Sequence, residues 1–437
     1  MAEANIGNSE LISEVNTRLV LQAVRRLQPT YRAEVARVTN LKPATVTSIV
    51  NDLLSEKMLR SVPGTIESGP RGGRPPMMLQ VNAERRCVLA IDLEPDCIRV
   101  ALTNLLAETL EYREQIIDRF SEPAVIIRQI CNLCDQVLAG IDRKRLLGAG
   151  MSLPGLIDTE DGVLISSTNM PKWKNVRIAD QLERQIGVTP RVERSAHLAA
   201  LYEAWCAPGQ GDYTTLILSV RTGIGMSMIH HGELYTGSHG FDGEIGHTVI
   251  DVGGRQCECG SRGCLETFVS ASAVCERIER MMEKGRCAEV RRALDDGEQL
   301  RPELAYRLAK AGDRDCIEIV RDVGRYIGIA ASNMINLLAP DRLVLCGAID
   351  TADDLLLEAV RDRINTHALP KLREGLDVGL AAAKEKSPLL GAAVLVARQL
   401  FELPRLRHPS QAIAAGASRY VPDSTDSSDR LTATHHS

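Results

Sequence analysis

The stretch CECGSRGC, residues 257–264, places three cysteines and two glycines in eight positions. Gly260 and Gly263 allow a turn tight enough for the three thiols to converge. His247 stands ten residues before Cys257, across a Gly253–Gly254 turn that can fold the chain back. His247, Cys257, Cys259 and Cys264 make a Cys3His set, and three thiolates with one imidazole suit tetrahedral Zn2+. Redox chemistry and unligated cysteines are the alternatives. Four ligands leave no open position, so a structural zinc is expected rather than a catalytic one. A second pair, Cys131 and Cys134, is spaced C-x-x-C. It falls within the helical stripe Val125, Ile126, Ile130, Leu133 and Val137, where cysteines serve as core residues.

The knuckle must sit in a chain with room for several layers. Its 437 residues suffice for two or three domains. Apolar residues make up 44% and charged residues 25%, an ordinary globular balance. The longest apolar runs, such as VLAIDL and LVLCGAI, are strand-length and fall far short of the ~18 residues of a membrane span. No membrane insertion is expected. The N-terminus is acidic and polar, without an apolar signal core, which points to a cytoplasmic chain. There, twelve cysteines suit free thiols and metal ligands better than disulfides.

The net charge of −5 conceals an asymmetry. Residues 18–74 carry ten Lys/Arg against four acids, so a basic head precedes an acidic body. That distribution suits a nucleic-acid module joined to something else. Helical spacing runs from Leu11 to Leu27 along Ile12, Val15, Leu19, Val20, Ala23, Val24 and Leu27. Pro29 ends it, and Thr30 is placed to cap a short helix carrying Val35, Ala36 and Val38. Pro43 then opens a third helix that buries Val46, Ile49, Val50, Leu53 and Leu54.

The outer face of that third helix shows Thr45, Thr47, Ser48 and Asn51, just after Lys42. Small side chains let a helix approach the major groove of double-stranded DNA, and hydroxyls reach phosphates and base edges. MLRSVPGTIES and MMLQVN read as the two strands of a wing. Between them, SGPRGGRPP holds Arg71 and Arg74 on an extended chain, narrow enough for a minor groove.

From Cys87 the pattern changes to strands and helices in alternation: CVLAIDL, IRVALTNL, an amphipathic helix over 123–139, then LLGAGMSLPG, TTLILSV and RLVLCGAI. This order predicts an α/β body. Met281, Met282 and Leu294 are read as core, YIGIAASNMINLLAP as a buried helix, and the Ser/Asp/Thr-rich end, 408–437, as a disordered tail.

GEIGH followed by C-x-C-G-x-x-G-C-x-E, across residues 243–266, resembles the signature of the ROK family of repressors and sugar kinases. The likeness runs from the helix-turn-helix to about Gly391, in the layout of the regulator branch typified by Mlc and NagC. It implies an actin-like, two-lobed sugar kinase-like body preceded by an N-terminal winged helix-turn-helix. The expected domains are 1–66, winged helix-turn-helix; 67–82, linker and return strand; 83–198, first lobe, completed by a helix at about 387–402; and 199–386, second lobe with the knuckle.

The family's kinase positions are eroded here. Its phosphate loop reads Asp-x-Gly-Gly-Thr; here Asp92 remains, but Glu94 and Pro95 stand where glycines belong. Pro95 removes an N–H donor and Glu94 repels phosphate. The family's Val-Glu-Asn-Asp-Ala-Asn is VERSAH, so Arg194 and Ser195 replace Asn-Asp, and no carboxylate stands ready to take a sugar hydroxyl's proton. In the second phosphate loop Gly223 and Gly225 remain, followed by Met226 and Ser227. Glu244, His247 and Glu266 match the family's sugar-hydroxyl positions, and carboxylates suit vicinal hydroxyls. His247 would serve zinc with one ring nitrogen and sugar with the other. Arg194 would meet an anionic ligand such as a sugar phosphate, or form a salt bridge. SLPG, Asn169 and Trp173 are expected as pocket walls.

The expectation is therefore a DNA-binding regulator and not an enzyme, a repressor of carbohydrate-related genes acting as a homodimer or homotetramer on a palindromic site. The alternatives are an ATP-dependent sugar kinase with a DNA-binding appendage, and a regulator controlled by a protein partner instead of a sugar.

Overall fold

The structure, a computed structural model, describes residues 9–64, 77–206, 213–237, 242–347 and 352–403. Arg71, Arg74 and the expected tail at 408–437 lie outside the described residues. No helix among the described residues is long and apolar enough to cross a membrane.

The head comprises α1 (Ser9–Leu27), α2 (Arg32–Thr39), α3 (Pro43–Ser55), β1 (Leu59–Pro63) and β2 (Met77–Val81). Asn40 ends α2 in the left-handed conformation, which Asn tolerates, and Pro43 occupies the first turn of α3. β1 and β2 pair antiparallel from Leu59↔Val81 to Pro63↔Met77. Val20, Val24, Val35, Val46, Val50, Leu53, Leu59 and Leu79 form the head's core.

Three readings of the head are corrected. Thr30 does not cap α2; it is buried and bridged to Leu79, so it ties the helices to the wing instead. Ile12 and Leu27 lie exposed at the two ends of α1, because a helix of 19 residues, ~28 Å long, overshoots partners of 8 and 13 residues. Val38 is also exposed, on the outer side of α2.

The body continues with β3 (Cys87–Leu93), β4 (Cys97–Asn104), β5 (Thr109–Ile116), α4 (Pro123–Val137), β6 (Leu146–Leu153), β7 (Leu156–Asp158), β8 (Val163–Ser166), β9 (Lys174–Arg177), α5 (Ile178–Ile186), β10 (Pro190–Arg194) and α6 (Ser195–Cys206). Next come β11 (Thr214–Val220), β12 (Ile224–His230), β13 (Glu233–Leu234), α7 (Glu266–Val269), α8 (Ala271–Glu283), α9 (Ala288–Asp295), α10 (Pro302–Lys310), α11 (Arg314–Leu338), β14 (Arg342–Gly347), α12 (Asp353–His367), α13 (Pro370–Arg373), β15 (Asp377–Leu380) and α14 (Ser387–Ala397).

Two mixed five-stranded sheets result, β10-β6-β3-β4-β5 and β13-β12-β11-β14-β15. In the first, β3 runs parallel to β6 and antiparallel to β4, and all seven of its residues are buried. α4 covers this sheet with Ile126, Ile130, Cys131, Leu133, Cys134 and Val137 inward, so the C-x-x-C pair is core; Val125 points outward.

α6 and α14 lie between the two sheets. Leu198 and Leu201 of α6 pack with α14, while Ala199 and Ala200 pack on β11 and β14. Every residue of α14 is buried. The fit is close: a Cβ on Gly391 would stand 1.9 Å from the Leu198 carbonyl oxygen, and one on Gly150 of β6 2.0 Å from that of Ala392. The boundary expected between residues 198 and 199 thus falls inside α6, a helix shared by both layers.

Candidate functional site

The knuckle forms as its glycines require. Gly260 and Gly263 adopt φ of +94° and +69°, and a Cβ on Gly263 would lie 1.6 Å from the Asp251 carbonyl oxygen. Bridges Val249↔Cys264 and Gln256↔Arg262 close the loop. One ligand atom from each of His247, Cys257, Cys259 and Cys264 lies within 4.8 Å of all the others. Cys259 Sγ and Cys264 Sγ are 3.7 Å apart, as are Cys257 Sγ and His247 Nδ1. A metal with ~2.3 Å bonds to sulfur and ~2.0 Å to nitrogen at tetrahedral angles needs separations of about 3.5–3.8 Å. A disulfide would need ~2.05 Å. The donors therefore fit a tetrahedral metal.

With Nδ1 turned to the knuckle, His247 offers Nε2 to the cleft between the lobes, 4.0 Å from Glu244 Oε2. A cavity of about 110 Å³ opens there, lined among others by Leu153, Pro154, Asn169, Arg194, Ser195, Glu244, His247 and Glu266. Glu266 accepts the Ile224 N–H at 3.4 Å, and burial pushes its carboxyl upward. Arg194 is buried and donates to the Glu244 carboxylate and the Asp242 carbonyl oxygen. Trp173 is not a pocket wall; it is wholly buried in the core of the first lobe beside Met170 and Leu164.

The positions that resemble the family's phosphate loop carry an ion pair. Arg221, at the end of β11, reaches across to the first lobe. It donates to Asp92 Oδ2 at 3.0 Å and pairs with Glu94 Oε1 at 2.7 Å. Asp92 also faces Arg99 at 3.4 Å. Burial pushes Glu94 up to about 7 despite Arg221, whereas Arg221 and Arg99 outweigh burial at Asp92 and hold its carboxyl below the usual range. At position 195, where the kinase pattern has a carboxylate, Ser195 begins α6.

One group was not foreseen. His197 is buried, its Nδ1 3.0 Å from Glu193 Oε1 and its Nε2 3.1 Å from Asp242 Oδ2. Burial opposes its charge, but the two carboxylates outweigh burial and hold the imidazole up at about 9. Asp242 in turn accepts the Gly237 N–H at 3.1 Å. His197, Asp242, Arg194 and Glu244 thus form one charged strip that fixes the GEIGH segment against α6.

In the head, Lys42, Thr47 and Ser48 are exposed along the start of α3, and Thr45 is half-buried. Asn51 accepts from Arg32 at 2.9 Å. The opposite side of the head is docked. Arg25 stacks on Trp205 at the end of α6 and donates to the Trp205 carbonyl oxygen at 3.0 Å. Arg18 donates to the carbonyl oxygens of Gln399 and Glu402.

Residues 88–399 match the sequence model of the ROK family. The chain belongs to the ROK family. The xylose repressor of Caldicellulosiruptor bescii is 27% identical over 407 residues, covering 91% of this chain and 99% of that one. A solved ROK family transcriptional regulator, a homolog of the E. coli MLC protein, superposes with a TM-score of 0.71 at 23% identity, over 89% of this chain and 98% of that one. A ROK family glucokinase from Streptomyces griseus, solved with glucose and AMPPNP, gives 0.65 at 24% identity, over 72% of this chain and 99% of its own. ROK kinase and ROK regulator share the two-lobed, actin-like α/β body found here.

Proposed function

We propose that this ROK protein is a DNA-binding transcriptional regulator, a cytoplasmic repressor of carbohydrate-related genes, and not a sugar kinase. The observation that carries the reading is Arg221 bound to Asp92 and Glu94, an ion pair at the positions that resemble the kinases' phosphate loop. Ser195 supplies no base, and Arg194 is engaged by Glu244. Similarity to the xylose repressor spans nearly the whole of both chains, whereas the glucokinase match covers 72% of this one.

In this reading α3 enters the major groove with Lys42, Thr45, Thr47 and Ser48, and Arg71 and Arg74 follow the minor groove. Two heads on a palindromic site imply a homodimer or homotetramer. Zn2+ on His247, Cys257, Cys259 and Cys264 is structural and orients the His247 ring toward the cleft. Glu244, His247 and Glu266 would bind the hydroxyls of a sugar effector, and Arg194 the anionic group of a sugar phosphate. A sugar ring entering the cavity of about 110 Å³ beside Glu244, His247 and Glu266 would part the lobes. Such parting would displace α6, which runs from Ser195 at the cleft to Trp205 beneath Arg25.

The Arg194–Glu244 pair favours a second reading, control by a protein partner with the cleft left shut. Fluorescence anisotropy on DNA upstream of the protein's own gene, with salt varied and sugars, amino sugars and their phosphates added, tests both. Tight, salt-steep binding weakened by one compound supports the sugar-controlled repressor. Binding that no compound alters supports the partner. Weak binding, equal on unrelated DNA, rejects the repressor.

A further inference from the structure

A second and larger cavity, about 570 Å³, lies on the other side of the metal knuckle. Its volume is in the ~300–1,000 Å³ range of small-molecule sites. One wall is α8, the second is the loop Asp251–Arg255 that joins His247 to the cysteines, and the third is the α11 face bearing Glu318 and Tyr326. The floor is apolar: Phe268 and Tyr326 rings with centroids 4.4 Å apart, flanked by Met281 and Ala273.

The rim is cationic. Arg255, Arg277, Arg280, Lys284 and Arg286 line the cavity against only Asp251 and Glu318. Three of the five are engaged: Arg255 with Glu276, Arg277 with Asp322, and Arg286 with Asp315 and Glu318. The side chains of Arg280 and Lys284, both exposed, have no ion-pair or hydrogen-bond partner among the described residues. They follow Arg277 at i+3 and i+7, Lys284 standing just past the end of α8, so three like charges face the same space. Like charges on adjacent helical turns repel, a cost that an anion in the cavity would reverse.

We propose that this cavity is a second ligand site, for a small organic anion whose phosphate or carboxylate meets Arg280 and Lys284 and whose flat apolar part rests on Phe268 and Tyr326. The class follows from the two surfaces together. A bare inorganic ion leaves the aromatic floor unused, and a neutral ring leaves the cations unpaired. The site also depends on the knuckle. A Cβ on Gly254 would stand 2.6 Å from Gly263 Cα and 3.2 Å from Phe268 Cζ, so the loop wall is packed directly between knuckle and floor. Nothing in this assignment rests on the cleft at Glu244 or on DNA binding.

Isothermal titration of the full-length, metal-loaded protein with phenyl phosphate, inorganic phosphate and phenol tests the site, beside the double variant Arg280→Glu, Lys284→Glu. Both positions are exposed, and circular dichroism reports whether the variant keeps its fold. The expected result is one phenyl phosphate per chain, at least tenfold weaker binding of inorganic phosphate and of phenol, and at least a tenfold loss in the double variant. Chelating the metal should weaken phenyl phosphate binding similarly. Three results overturn the proposal: no phenyl phosphate binding at millimolar concentration, equal affinity in the folded double variant, or inorganic phosphate binding as tightly as phenyl phosphate.

Discussion

The guanidinium of Arg25 lies 3.7 Å over the ring of Trp205, which joins the first helix of the head to the last turn of α6. Phe401 meets the same indole edge-on, with centroids 5.5 Å apart. Burial lowers Arg25 to about 10, which leaves it charged at neutral pH. A partly desolvated cation over an indole contributes ~1–2 kcal/mol. Trp205→Ala should therefore free the head from the body and give it a separate thermal transition at lower temperature. A single transition unchanged in midpoint would contradict the docking.

Removing Arg221 leaves Asp92 and Glu94 buried without their shared partner. Breaking a buried pair from one side costs about 3–5 kcal/mol, so Arg221→Leu should lower the melting temperature by on the order of 10 °C. Adding Glu94→Gln should restore part of the loss. If Arg221→Leu melts like the wild type, the cross-lobe pairing is not a structural element.

His197 gives stability a defined pH window. It holds its proton with a pKa of about 9 when folded, against ~6.5 for an unfolded histidine. The stability it supplies is complete below about 6.5 and is lost as pH rises through about 9, on the order of 3 kcal/mol in all. Urea midpoints measured from pH 6 to 10 should fall across that window in the wild type. They should stay nearly level in His197→Asn.

Cys259→Ser and Cys264→Ser should each release one metal equivalent per chain, read by elemental analysis, and lower the body's melting temperature. Chelation of the wild type should reproduce the drop. A folded, fully metal-loaded variant would refute the ligand set.

On DNA, Lys42→Ala should weaken binding about equally across sequences and reduce the salt slope by about one, as the loss of a phosphate contact does. Thr47→Val and Ser48→Ala should instead change which base is preferred near the centre of a half-site. Identical effects of all three on every sequence would remove α3 from the major groove.

What the sequence disclosed follows from how local each feature is. The knuckle's four donors lie within residues 247–264, and α3 announces itself through Pro43 and the spacing of Val46, Ile49, Val50 and Leu53. Erosion of the phosphate loop was equally local, at Glu94 and Pro95. The pairing that compensates for it was not, because Arg221 is 129 positions from Asp92. His197 and Asp242 are 45 apart, and nothing in the local sequence of either names the other as its partner. Trp173 was misplaced for a related reason: an aromatic residue beside a cleft motif has the same one-dimensional context whether it faces ligand or core. Thr30 has the composition of a cap, but Leu79, its actual partner, arrives only once the wing has folded.

Phe401 carries a consequence for the order of biosynthesis. It is buried in the same apolar cluster as Val20, Val50 and Leu79, so the head's core includes a residue from the far end of the described chain. A ribosome releases the whole head sequence early, then needs tens of seconds at ~5–20 residues per second to reach that phenylalanine. Through that interval the nascent head lacks one wall of its core and the body surface on which Arg25 docks. The head is made before the segment that completes its core, and its ability to hold DNA in a fixed orientation is deferred until Phe401 has been synthesised.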